Sequence, residues 1–301
     1  MASRQVIAVT AAMAVGMGGG LGAYFELRSP PTVIGAATPA EAPELDAGRI
    51  AWCAEGLEPL NGGGCFAGSA SAPKPAPLLI YLHGLFEPSA TEGELDRQRR
   101  VAQHATARGF AVLALRGRLG LCSRPYAAWY CWPSNERIAD AGPEMVDAWG
   151  PSLRAADKLR GGAGTRYVLG FSNGAFFSGL LAVRALFAAE AFAIAGGGPV
   201  EPVHALGPKP PLLLLSSDDD PSQEGMLLFD RELTREGWPH ESYSRDGNHA
   251  LLDPDIEAVL SFFLRSRTEK LPLTPPLSTH VPHPHVPDAA AAPDPEPGEP
   301  E

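Results

Sequence analysis

Short apolar runs alternate with longer segments of mixed polarity between residues 78 and 267. The short runs predict strands, and the longer segments repeat their apolar positions with the period of a helix. The predicted strands are 78–82, 111–115, a strand ending at 169, 191–195, 212–215 and 241–244. The predicted helices are 92–108, 145–159, 175–186, 224–235 and 256–264. Because strands that alternate with helices build a mostly parallel sheet with helices on both faces, we expect an α/β fold with the segment 50–67 as an antiparallel edge hairpin.

A glycine-flanked serine follows the predicted strand that ends at 169. The sequence there is Gly170-Phe171-Ser172-Asn173-Gly174, and a helical pattern comes directly after it. This G-x-S-x-G order is the pattern of a nucleophile elbow, a tight turn that exposes a serine hydroxyl. Glycines are needed on both sides because such a turn leaves no room for neighbouring side chains. The alternative is an ordinary loop serine between two packing glycines, in a chain with 33 glycines.

Candidate partners for this serine stand at the ends of three other predicted strands. The strand at 78–82 ends in His83-Gly84-Leu85, the strand at 212–215 leads into the acidic run 218–220, and the strand at 241–244 leads to His249. Open α/β sheets build their sites at the carboxyl ends of the strands. The order serine, acid, histidine along the chain is the order of a nucleophile-elbow triad. We therefore expect these groups to meet at one edge of the sheet.

These motifs resemble the α/β-hydrolase superfamily, and the resemblance covers about residues 78–267. The Ser-Asn-Gly elbow is similar to that of secreted esterases of the polyhydroxybutyrate-depolymerase and feruloyl-esterase type, and to that of dienelactone-hydrolase-like proteins. The resemblance implies that Ser172 is the nucleophile and His249 the base. The superfamily's acid often precedes a proline, which favours Asp220, before Pro221; Asp218 and Asp219 are the alternatives.

The resemblance also implies an oxyanion hole made of backbone N–H groups. One belongs to the residue after the nucleophile, here Asn173, and the other to the loop that follows His-Gly, here Leu85. The chain reads His83-Gly84-Leu85-Phe86 where the extended form of the motif has His-Gly-Gly-Gly. Such donors stabilise the negative charge of a tetrahedral intermediate. We expect His83 to support this loop and not to act as the base.

A serine, a histidine and a carboxylate in this order predict a serine hydrolase that cleaves a carboxylic ester through an acyl-enzyme intermediate, with no metal or organic cofactor. A peptidase, a thioesterase or a polyester depolymerase on the same triad is the alternative within enzymes. A non-catalytic binding module of the same fold, tethered at the cell envelope, is the alternative outside them. The histidines at 280, 283 and 285 are interpreted as incidental and not as a metal site.

Substrate recognition is expected in the segment 122–132, which follows the predicted strand 111–115 and concentrates four aromatic residues. We predict that Trp129, Tyr130 or Trp132 lines the substrate pocket, since aromatic side chains combine broad apolar contact with a polar group. Covering the edge of the sheet is their alternative role. Only residues 196–210 connect two of the strands, so no large cap domain is expected, and an open site would admit small or polymeric esters.

The ends of the chain differ in composition from the middle. Residues 1–25 are almost uncharged and are interpreted as a signal peptide or an N-terminal membrane anchor. Residues 26–48 are rich in Pro and Ala and predict a linker. Residues 49–267 predict one α/β-hydrolase domain. The Pro-rich acidic segment 268–301 predicts a disordered tail, because it has too few apolar side chains to offset its ordering entropy.

Cysteine usage and charge bear on the compartment and the partners. Four cysteines permit three connectivities, of which we favour the two local pairs, Cys53 with Cys65 and Cys122 with Cys131. Disulfides and the N-terminal segment together predict an exported protein. The formal net charge of −11 argues against nucleic acid as a partner. The expected partners are therefore an ester substrate and, through the N-terminal segment, a membrane; the oligomeric state is left open.

Overall fold

The computed structural model describes residues 52–134, 138–199, 203 and 207–268. The predicted segments 1–25 and 26–48, and the tail from 269 onward with its histidines, lie outside these residues. Within the described part, no helix combines the length and the apolar character needed to cross a membrane.

An eight-stranded sheet forms the centre of the described chain. Its strands are β1 Glu58–Pro59, β2 Cys65–Ala67, β3 Leu78–Leu82, β4 Ala111–Leu115, β5 Arg166–Phe171, β6 Ala191–Ala195, β7 Leu212–Ser217 and β8 His240–Arg245. They follow the spatial order β1-β2-β4-β3-β5-β6-β7-β8. The pairs β1/β2 and β2/β4 are antiparallel, whereas the pairs from β4 to β8 are parallel. This confirms the predicted mostly parallel sheet with an antiparallel hairpin at its edge.

Six helices cover the sheet in the described residues: α1 Glu92–Ala107, α2 Ile138–Ala148, α3 Gly150–Leu159, α4 Asn173–Val183, α5 Gln223–Arg235 and α6 Asp253–Thr268. The prediction of a single helix over 145–159 is wrong, because two helices occupy this region and the first begins before residue 145. The second helix starts at Gly150, and Pro151 lies in its first turn. Proline has no backbone N–H to continue the preceding helix, but its fixed φ suits the first turn of a new one.

Two apolar layers bury the two faces of the sheet. One contains Leu82 and Leu115 from the strands together with Phe177 of α4 and Phe229 of α5. The other contains Tyr81, Ala114 and Phe171 from the strands and side chains of α1 and α6. Because alternate residues of a strand point to opposite faces, β3, β4 and β6 are apolar and buried throughout. Helices on both faces therefore match the prediction.

Both predicted disulfides are present. Cys53–Cys65 ties the chain before β1 to β2, and Cys122–Cys131 closes the loop that follows β4. The connection from β6 to β7 contains no helix or strand among its described residues, which are 196–199, 203 and 207–211. Because the strands from β4 to β8 run parallel, the loops after β3, β4, β5, β7 and β8 lie at the same edge of the sheet.

Candidate active site

Ser172 lies between β5 and α4 with φ 53° and ψ −120°, a conformation that residues with a side chain rarely adopt. The flanking glycines make this turn sterically feasible. A Cβ on Gly170 would lie 2.2 Å from the carbonyl oxygen of Gly174, and a Cβ on Gly174 would lie 2.2 Å from that of Leu82. Strand and helix thus approach each other too closely for any other residue. The turn has the geometry of a nucleophile elbow.

Two hydrogen bonds connect Ser172, His249 and Asp220. The Oγ of Ser172 lies 2.8 Å from Nε2 of His249, and Nδ1 of His249 lies 2.7 Å from Oδ2 of Asp220. A carboxylate can only accept, so Nδ1 carries a proton and Nε2 is free to accept the serine proton. The side chain of His249 is 37% exposed and that of Asp220 is 1% exposed. The site is therefore open to solvent on one side and anchored on the other.

Asp220 is the one of the three consecutive aspartates whose carboxylate reaches His249. Its second oxygen, Oδ1, accepts hydrogen bonds from the backbone N–H and the hydroxyl of Ser222, at 2.8 and 2.7 Å. Burial alone would raise the pKa of Asp220, but the hydrogen bonds from Ser222 and His249 lower it overall. The carboxylate is therefore ionised at neutral pH. Asp218 is exposed and instead accepts from the hydroxyl of Ser244 at 2.7 Å.

His83 supports the loop that follows β3. Its Nε2 accepts the backbone N–H of Gly117 at 2.8 Å, and its Nδ1 donates to the carbonyl of Gly84. Burial lowers the pKa of His83 to about 3, so the ring is neutral and cannot give up either contact by protonation near neutral pH. A Cβ on Gly84 would lie 3.1 Å from Cβ of Ser172. The expected oxyanion donors, Leu85 and Asn173, follow Gly84 and Ser172 directly.

Trp132 belongs to this support and not to a pocket wall, so its assignment as a substrate-binding residue is wrong. The side chain is 1% exposed, stacks on Phe177 and donates from Nε1 to the carbonyl of His83 at 2.8 Å. Its backbone N–H donates to Oδ1 of Asn173 at 2.7 Å. Burial leaves Trp132 no surface to offer a substrate. Trp129 and Tyr130 are half-buried, and their role in a pocket stays a prediction.

Several residues near the triad carry no sequence signal that identifies them. Gly196 has φ 63°, and a Cβ there would lie 3.2 Å from both the His249 ring and Oδ2 of Asp220. Phe171 stacks on the ring of His249 with a centroid distance of 5.1 Å, and the guanidinium of Arg97 lies 4.5 Å from the Phe171 ring. The absence of a side chain at Gly196 thus leaves room for the histidine and its acid.

A buried acid lies on the same side of the sheet as Phe171. Glu94 in α1 is 3% exposed and contacts the guanidinium of Arg97. Burial raises the pKa of Glu94 to about 7, although Arg97 acts in the opposite direction. Tyr81 of β3 lies beside the pair, and burial raises its pKa well above the ordinary value. This cluster contributes no group to the chain of hydrogen bonds that ends at Ser172.

No protein-family model and no curated protein sequence matches the chain. Its structure is similar to many solved structures, among them the following three, all at low sequence identity. A truncated carbohydrate esterase from gut microbiota has a TM-score of 0.51 and 12% identity, covering 73% of this chain and 95% of that one. YahD with malic acid has 0.50 and 15%, covering 67% and 98%. A variant of Arabidopsis thaliana SOBER1 has 0.50 and 16%, covering 64% and 100%. At these identities the similarity shows a shared fold.

Proposed function

We propose that this chain, which has the α/β-hydrolase fold, is a serine hydrolase that cleaves a carboxylic ester through an acyl-enzyme intermediate. The observation that carries the proposal is the chain of hydrogen bonds from Asp220 through His249 to Ser172. A fold alone does not establish chemistry, since non-catalytic members of a fold retain its sheet and helices. A half-exposed serine in a strained turn, bonded to a histidine that a buried carboxylate orients, is the arrangement that nucleophilic catalysis requires.

The first half of the proposed reaction forms the acyl-enzyme. Oγ of Ser172 attacks the ester carbonyl carbon while Nε2 of His249 accepts the hydroxyl proton. The carbonyl oxygen becomes negative, and the backbone N–H groups of Asn173 and Leu85 are proposed to stabilise it. The carboxylate of Asp220 stabilises the imidazolium form of His249. When the intermediate collapses, the bond to the alcohol breaks and the alcohol oxygen takes the proton from Nε2.

The second half repeats these steps with water. His249 accepts a proton from the water as its oxygen attacks the acyl carbon, and the same N–H groups hold the second oxyanion. Collapse of this intermediate breaks the bond to Oγ of Ser172, which takes the proton back from His249. The carboxylic acid product leaves, and the enzyme returns to its starting protonation state. The neutral ring of His83 takes no proton in this sequence.

Two further observations support the proposal. The similar protein from gut microbiota is a carbohydrate esterase, which makes ester cleavage the first chemistry to test for this chain. The two disulfides are typical of oxidising compartments and support an exported enzyme. We propose that the segment 1–25 directs this export; whether it is cleaved or stays as an anchor is decided by the mass of the mature protein.

A fluorophosphonate probe tests the proposal, because it labels only serines that are activated as nucleophiles. We expect labelling of the wild type and of Ser71→Ala, which removes an exposed serine, but no labelling of Ser172→Ala. Hydrolysis of 4-nitrophenyl butyrate should follow the same pattern, and matched amide and thioester substrates separate an esterase from a peptidase or thioesterase. A folded wild type that neither reacts with the probe nor cleaves any of these substrates would refute the proposal in favour of a binding module.

A further inference from the structure

Arg116 follows β4 directly, at the edge of the sheet that carries Ser172. Its guanidinium carbon lies 5.0 Å from the ring centre of Tyr130 and 5.8 Å from that of Trp52. Both rings also stack on Phe86, at 5.2 and 5.5 Å. Phe86 is the residue after Leu85 in the oxyanion loop. A positively charged group is thus held by an aromatic frame, defined here as Trp52, Phe86 and Tyr130, beside the loop that is proposed to stabilise the oxyanion.

The charge of Arg116 has no acidic partner in the part of the chain that the structure describes. No described carboxylate lies within 4.0 Å of its guanidinium, and none of its N–H groups makes a hydrogen bond to a described residue. Two other arginines do have acidic partners: Arg97 pairs with Glu94, and Arg118 pairs with Glu144 at 2.6 Å. The guanidinium nitrogens of Arg116 are not among the buried atoms that lack a partner, so solvent reaches its five donors and a ligand carboxylate can replace water there.

The register of the sheet gives the backbone separation between Arg116 and the turn that carries Ser172. Leu115 of β4 is level with Leu82 of β3, which is level with Gly170 of β5. Arg116 is therefore two strands away from Phe171, about 10 Å between Cα atoms at the usual strand spacing. By alternation, Arg116 follows the face of Ala114, which is also the face of Phe171. The guanidinium lies over Tyr130 and Trp52, so a substrate bound to Ser172 must itself extend to this side chain.

We propose that Arg116 binds an ionised carboxylate of the substrate, so that this site favours esters that carry a second, negatively charged group. The inference rests on the proposed function, because it deepens the substrate class of the same site. A planar guanidinium matches a carboxylate with two parallel hydrogen bonds, and rings on its faces keep its edge available for them. The frame is fixed before binding, because Phe86 and Tyr130 exchange backbone hydrogen bonds and Tyr130 precedes the disulfide-bonded Cys131.

The protein's overall charge makes this selectivity informative. At a net charge of −11, long-range electrostatics repel an anionic substrate, so a preference for one requires a local positive group. The carboxylate can belong to the acyl part or to the alcohol part of the ester. Two substrates separate these cases: the 4-nitrophenyl monoester of glutaric acid carries it on the acyl side, and 4-acetoxybenzoate carries it on the alcohol side.

The test compares each charged ester with its neutral methyl-capped analogue. We expect the wild type to prefer the charged member of at least one pair. Arg116→Gln should lower kcat/KM for that charged ester at least tenfold, mainly through KM, and leave the neutral ester within about twofold, as expected for loss of a charge-assisted bond. Arg116→Lys keeps the charge and should retain part of the preference. Arg118→Gln makes the same charge change at a paired arginine and should alter neither ester.

Two results would overturn the proposal. The first is a wild type with no preference within either pair, and the second is an Arg116→Gln variant that loses activity equally on both members. Calorimetry of glutarate with Ser172→Ala provides a readout that needs no catalysis. If no ester is cleaved but glutarate binds Ser172→Ala and not Ser172→Ala with Arg116→Gln, the proposed hydrolase function fails and the anion site stands. Without ester cleavage and without binding that depends on Arg116, both fail.

Discussion

The substitution Asp220→Asn tests whether Asp220, and not Asp218 or Asp219, is the acid of the proposed triad. The structure allows the effect of this substitution on kcat to be worked out. The carboxylate oxygen Oδ1 accepts from the N–H and the hydroxyl of Ser222, and Oδ2 accepts from His249. In the asparagine variant, the two donors of Ser222 hold the amide oxygen at the Oδ1 position. The amide NH₂ then faces Nδ1 of His249. The imidazole must accept there and carry its proton on Nε2, where it can no longer take the proton of Ser172.

The expected decrease in kcat has an upper and a lower limit. If the amide stays in that orientation, kcat should fall about 10⁴-fold, which is the usual effect of the wrong tautomer in a serine triad. If the amide turns over, the histidine regains its tautomer and the hydroxyl of Ser222 can rotate to accept from NH₂, but the backbone N–H of Ser222 then faces NH₂ without an acceptor. An unsatisfied buried donor of this kind costs up to about 3 kcal/mol, which makes the turned form rare by roughly a factor of 100. We therefore expect a decrease of between about 10² and 10⁴.

The assay is kcat/KM for 4-nitrophenyl butyrate, together with thermal unfolding to verify that each variant is folded. Asp218→Asn and Asp219→Asn are matched controls, since both residues are exposed, and each should retain activity within about threefold. Asp220→Asn with more than a tenth of wild-type activity, or an equal loss in either control, would refute the assignment of the acid.

Three further predictions concern the surroundings of the triad. Trp132→Phe removes the hydrogen bond to the His83 carbonyl and should lower both kcat, about tenfold, and stability, by about 1 to 2 kcal/mol; Trp149→Phe, which removes an N–H without a described partner, should leave kcat unchanged. Reducing the two disulfides, with sequence separations of 12 and 9 residues, should lower the urea-derived free energy of unfolding by about 3 kcal/mol each. Burial raises the pKa of Glu94 from 4.5 to about 7, so the stability it contributes is complete below pH 4.5 and lost as pH rises through 7. Relative to Glu94→Gln, the wild type should therefore lose about 3 kcal/mol between pH 4.5 and 8, and equal pH profiles would contradict this reasoning.

The sequence was sufficient where one local rule decides the outcome. Apolar runs identify the strands, and the spacing Gly170-Phe171-Ser172-Asn173-Gly174 places the elbow, because strand and helix there leave space only for glycine. The choice of Asp220 needed the further observation of a following proline. The pairing of Arg97 with Glu94 and the stacking of Phe171 on His249 were not predicted, because they join elements that are distant in sequence.

Trp132 shows why aromatic residues in a loop are difficult to assign from sequence. An aromatic side chain at this position in the sequence suits a pocket wall as well as a core. Only the packing of α4 against the loop shows that Trp132 belongs to the core. The same limit applies to the predicted helix 145–159. Its apolar pattern continues past Trp149, whereas the break comes from Gly150 and Pro151, which begin a new helix inside that pattern.

The support of the proposed oxyanion loop explains how an open site can keep its donors in place. Trp132 donates to Asn173 with its backbone N–H and to His83 with its indole N–H, and His83 accepts from Gly117. These three hydrogen bonds join the nucleophile elbow, the oxyanion loop and the disulfide-bonded loop into one unit. Donors that are fixed before the reaction stabilise a developing negative charge without a reorganisation cost. Because His83 stays neutral at its lowered pKa, this support persists well into the acidic range. A loss of activity on mild acidification should therefore not come from collapse of the proposed oxyanion loop.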